Sequence, residues 1–117
     1  MSAYTRSRLI EAIDKFNSGN FFEAHEILED IWYDVHDETK QLYQGLLHFA
    51  TALYHLTDKN NPKGALLQLD KALKKLSESD ITLQGLDIKK ITRQIKAIEV
   101  KIKKGEAVKR LPLIKIK

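Results

Sequence analysis

Apolar positions recur along this chain with the 3.6-residue period of an α-helix, and nothing alternates convincingly like a strand before the last residues. Leu9, Ile10, Ala12, Ile13 and Phe16 form the first stripe and predict a helix over residues 4–17. Ser18-Gly19-Asn20 ends it, since Gly and Asn accept the left-handed conformation of a C-cap. A second helix is predicted over 21–36, where Phe21, Ala24, Leu28, Ile31, Trp32 and Val35 share one side. A polar break at 37–40 leads to a third helix over about 40–57. In DKNNPKG, Asn61 can cap and Pro62 can take the first helical position of a fourth helix running to Leu76. SESDITLQGL reads as a loop, and Asp87 as the cap of a fifth helix to about residue 104. That helix repeats Ile88, Ile91, Ile95, Ile98 and Ile102, with Lys and Arg on its other faces. The tail 105–117 contains Pro112 and alternates at its end, so it is extended or disordered unless it docks on something.

A shift of 41 residues lays one helix pair over the next. Asn20 meets Asn61, Ala24 meets Ala65, Leu28 meets Leu69, Glu29 meets Asp70 and Ile13 meets Tyr54. The expected fold is therefore all-α, with about five helices: two consecutive helical hairpins in a tetratricopeptide-like stack, plus a C-terminal basic helix. One domain covers 1–117, with its core in 4–77. At 117 residues the chain is long enough to bury one core without staples.

Composition narrows the chemistry. There is no cysteine, which excludes disulfides, thiol catalysis, cysteine-bound zinc and iron–sulfur clusters, and fits a reducing cytoplasm. No haem is expected. The N-terminus has no apolar core of signal-peptide length, so a cytoplasmic protein without membrane insertion is expected. Charge is unevenly spread. From Asp87 onward eleven Lys and Arg face Asp87, Glu99 and Glu106, a balance of +8, so residues 1–86 carry −4 of the +4 total. From Phe16 to Thr39 there are seven acids and no Lys or Arg. Such a basic end permits an anionic partner, nucleic acid included. It has no aromatic residue to stack on bases, however, and a Lys-rich helix face is more often merely solvated. A protein partner or a homodimer is the stronger expectation.

Two polar lines stand out. On the second helix His25 and Glu29 are i and i+4, close enough to touch, and with His36 they fall within about 40° on the shoulder of the apolar face. HEILE is not the H-E-x-x-H zinc motif, because Glu29 stands where the second histidine belongs. On the third helix the run from Gln41 to Thr57 has no charged residue, which predicts an enclosed element. Its stripe of Gln44, His48, Thr51 and His55 spans about 60°, and Gly45 permits a close helix contact. The candidate ligand-binding side chains are His25, Glu29, Trp32, Gln44, His48 and His55. A divalent metal is one cofactor they could serve, held by His25, Glu29 and His55. No complete catalytic motif accompanies them. A hydrogen-bonded network that merely fixes helix pairing explains the same residues.

The pattern F-N-x-G-x-F-F-E-A-H-E-x-L-E-x-x-W, then L-Y-Q-G-L-L-x-x-A-x-A-L-x-H, then N-P-x-G-A, resembles the bacterial and archaeal family catalogued as domain of unknown function 309. The resemblance covers roughly residues 8–77. It implies a small all-helical fold and brings no established activity. It marks Phe16, Asn17, Ala24, His25, Glu26, Glu29, Trp32, Gln44, Gly45, His55 and Gly64 as family-typical. At the His48 position it implies glutamine in relatives, which weighs against His48 as an obligatory ligand. A non-catalytic interaction module is the first functional expectation. A metal-dependent or acid–base enzyme of hydrolase type, using His25, Glu29 and His55 with Gln44 as a substrate contact, is the alternative.

Overall fold

In the computed structural model, which describes residues 1–78, 82, 83 and 85–117, the apolar stripes become five helices. These are α1 (Ala3–Asn17), α2 (Phe21–Asp34), α3 (Lys40–Thr57), α4 (Pro62–Ser77) and α5 (Ile88–Lys103). Local chemistry sets most boundaries. The Ser2 hydroxyl accepts from the Thr5 amide and starts α1. Asn61 accepts from the Gly64 amide at 3.0 Å ahead of Pro62, and Asp87 accepts from the Lys90 amide at 3.0 Å. Gly19, at φ +81°, supplies the left-handed residue that turns α1 into α2. Ser79, Asp80, Ile81 and Gln84, part of the loop expected before α5, lie outside the described residues.

Each helix packs on the next, α1 on α2, α2 on α3, α3 on α4 and α4 on α5, as short links in a hairpin stack dictate. Of the positions matched by the 41-residue shift, three pairs share their environments, whereas Ile13 is buried and Tyr54 only half-buried. Ala24 and Ala65 are fully buried, Leu28 and Leu69 lie in the core, and Glu29 and Asp70 face solvent. Phe16, Phe21 and Phe49 join α1, α2 and α3, with ring centroids 5.2 Å apart for Phe16–Phe21 and 5.1 Å for Phe16–Phe49. A Cβ at Gly45 would lie 2.7 Å from the buried Leu76 side chain, so the missing side chain lets α3 and α4 approach.

One expectation needs correction. Helix α2 ends at Asp34, and Val35 is extended (φ −85°, ψ 131°), so exposed His36 does not join the His25–Glu29 face. Lys40 explains the early stop: its Nζ donates to the Trp32 carbonyl and, at 3.0 Å, to the Val35 carbonyl, replacing the next helical turn. The tail is extended and docked. Ile114 is buried, its amide donates to Asn17 Oδ1 at 2.8 Å, and Asn17 Nδ2 donates to its carbonyl at 2.8 Å. Gln94 Nε2 holds the Leu113 carbonyl at 3.0 Å, and Leu86 and Ile116 form an isolated antiparallel bridge. The tail therefore ties α5 back to α1. Among the described residues no helix is long and apolar enough to cross a membrane.

Candidate functional site

On α2, Phe22, His25, Glu26 and Glu29 follow i, i+3, i+4, i+7 spacing and so form one stripe. His25 Nε2 lies 3.7 Å from Glu29 Oε2, with His25 about a quarter exposed and Glu29 more than half exposed. Phe22 is 47% exposed and packs its ring 5.8 Å from the His25 ring and 5.2 Å from the Tyr54 ring of α3. Tyr54 in turn lies beside His55 (6.1 Å) and beneath Lys59 Nζ (5.6 Å). An aromatic and imidazole patch thus bridges α2 and α3, with Glu26 and Glu29 along one side. Phe22 and Tyr54 lie outside the site residues expected from the sequence, because an aromatic side chain carries no ligand signature of its own. The signal was available for Phe22, three residues before His25 on the same face.

The α3 stripe does not act as one line. His48 Nδ1 meets Gln68 Oε1 of α4 at 2.7 Å. With a carbonyl oxygen facing it, Nδ1 carries the proton. Thr51 donates back to the Leu47 carbonyl at 2.9 Å, within its own helix. Gln44 is half-buried and makes no side-chain hydrogen bond among the described residues. His55 Nδ1 is buried with no hydrogen-bond partner among the described residues. Trp32 is half-buried near the far end of α2, about 10 Å along the axis from His25, and Lys40 Nζ sits 4.8 Å over its ring. Among the described residues no three His, Cys, Asp or Glu side chains gather closely enough to hold a metal ion, so His25, Glu29 and His55 are not assembled as a ligand triad.

Electrostatics sharpen the division. Two of the α2 acids are met by α1, where Arg8 bridges Asp30 at 3.0 Å and Lys15 bridges Glu23 at 2.8 Å. Burial pushes the His48 imidazole below its ordinary value. The Gln68 hydrogen bond opposes that, while the charges of Lys71, Lys75 and His25 add to it. The unfolded imidazole titrates near 6.5, so on acidification the unfolded chain takes up this proton first. Stability present above pH 6.5 is then lost as the pH falls through the lower folded value. We expect His48→Gln to narrow the gap between melting temperatures at about pH 7.5 and about pH 5, measured by circular dichroism. An unchanged gap would mean that another group carries it.

Comparison with known proteins places these residues in a family. The matching family model is the domain of unknown function DUF309, over residues 9–67. That span includes His25, Glu29, Trp32, Gln44, His48 and His55, and leaves α5 and the tail outside. An uncharacterised protein from Aquifex aeolicus (strain VF5) is 31% identical over 91 residues, which is 77% of this chain and 27% of that protein. The chain therefore spans about a quarter of the length of that relative. On the match through α1, α2, α3 and the start of α4, the chain belongs to the DUF309 family.

Proposed function

We propose that the chain is a non-catalytic interaction module that binds a partner protein through the Phe22–His25–Tyr54 patch. The observation that carries this reading is Phe22, held against two rings yet 47% exposed. An aromatic fixed in place by its neighbours loses little entropy on binding, and apolar groups rimmed by polar ones are where interface energy concentrates. Glu26 and Glu29 on the rim select a basic partner surface. His25 supplies a hydrogen bond at the edge of the patch, while His48 serves the α3–α4 side. A cytoplasmic partner fits the cysteine-free composition, and a second copy of the chain is one such partner. The Aquifex relative supports a modular unit, since the matching region there sits within a longer polypeptide.

Photo-crosslinking from a benzophenone residue at Phe22, in cells, tests this. One discrete adduct that disappears with Glu26→Lys/Glu29→Lys, and is absent from a probe at exposed Thr82, is the expected result. Equal labelling from both positions would contradict it. A second reading rests on His55, whose buried Nδ1 lacks an internal partner. Such a nitrogen costs free energy unless a ligand satisfies it, which favours an acid–base enzyme in which His55 meets a bound substrate.

A further inference from the structure

The basic end of the molecule lies on the far side of the sequence from the α2–α3 patch, in α5 and the tail. Lys90, Lys101, Arg110 and Lys115 surround a groove of about 360 Å³ between α5 and the tail, whose floor includes Ile98 and Val108. None of these four cations forms an ion pair among the described residues. The acidic stretch on α2 pairs with cations of α1 at Glu23 and Asp30 and with none of these four, so the positive field at this end is left unanswered. The tail beside the groove alternates. Pro112, Ile114 and Ile116 turn inward, whereas Leu111, Leu113, Lys115 and Lys117 turn outward. Leu111 is 40% and Leu113 55% exposed, and the backbone between them and Ile114 is pinned by Gln94 and Asn17.

We propose that this face docks the protein on the surface of an anionic phospholipid bilayer. The cations meet lipid phosphates, each adding attraction that fades within a Debye length, while Leu111 and Leu113 reach the acyl boundary beneath the headgroups. Two outward leucines set among four cations match a surface that is charged outside and apolar just below. They do not match a nucleic acid. Residues 87–117 hold no Phe, Trp or Tyr to stack on bases, and exposed leucines gain nothing from a phosphate backbone. Docking of this kind needs no spanning segment.

The full chain should co-sediment with vesicles containing phosphatidylglycerol and not with vesicles of phosphatidylcholine alone, and rising salt should release it. Lys101→Gln/Arg110→Gln should weaken the partition by roughly thirtyfold, at about fivefold per cation. Leu111→Ser/Leu113→Ser should weaken it by roughly tenfold or more with the charge untouched. Both pairs are solvent-exposed, and an unchanged melting temperature confirms that each variant is folded. Absence of binding to the anionic vesicles overturns the proposal. So does binding that ignores the leucine pair while short duplex DNA binds equally well, which would identify a nucleic-acid surface. Binding that vanishes when free α2-side acids are reversed (Glu26→Lys/Glu29→Lys) overturns it too, because the vesicle contact would then be secondary to self-association.

Discussion

Phe49→Ala should be the most damaging single truncation in the protein, lowering its stability by about 3–5 kcal/mol. Phe49 is fully buried, and its ring meets Phe16, which meets Phe21 in turn. Removing it leaves a cavity where three helices join, so α1, α2 and α3 all lose contacts and none can close the space alone. For a chain of this size that loss corresponds to a melting temperature lower by roughly 10–20 °C. Tyr33→Ala is the matched control, because Tyr33 is 74% exposed and its loss should stay within about 0.5 kcal/mol. Urea unfolding of both variants checks the contrast. Equal midpoints would mean that the triple-phenylalanine junction does not anchor the fold.

Asn17→Ala should cost about 1–3 kcal/mol and act at a distance in sequence. One amide side chain both donates to the Ile114 carbonyl and accepts from its amide, at 2.8 Å each way. Without it, two backbone groups of the tail lose their partners together, and Ile114 has less reason to remain buried. The change should concentrate in the tail. Hydrogen exchange at the Ile114 amide should approach that of an open segment, and trypsin should cut sooner after Lys109 and Arg110. The α3 amides should keep most of their protection. Uniform loss of protection throughout the chain would instead make the tail part of the global unfolding unit.

These two side chains also show where sequence reading succeeds and where it stops. Helices α3, α4 and α5 were legible almost to the residue because their signals are local: Asn61 before Pro62, Asp87 before an isoleucine stripe, and an apolar period in each. Gly45 was legible as a close contact, although its partner Leu76 was not. The end of α2 was misjudged because it depends on Lys40, which reaches back to the Trp32 and Val35 carbonyls from the next helix. Docking of the tail depends on Asn17, 97 residues away from Ile114, and no local pattern encodes that pairing. The site divides in the same way. His25–Glu29 follows from i, i+4 spacing, whereas His48–Gln68 spans two helices and 20 residues. Phe22 and Tyr54 were not singled out, since periodicity assigns a face but not how far a neighbouring helix covers it.

The proposed function makes the His25 patch a binding surface and not a metal or catalytic centre. Metal analysis of purified, tag-free protein beside His25→Ala/His55→Ala tests it most directly. Divalent metal well below one equivalent is expected in both proteins, with a double variant that remains folded while losing the crosslink from position 22. Near-stoichiometric metal in the parent protein that disappears from the variant would contradict it and make His25 and His55 ligands.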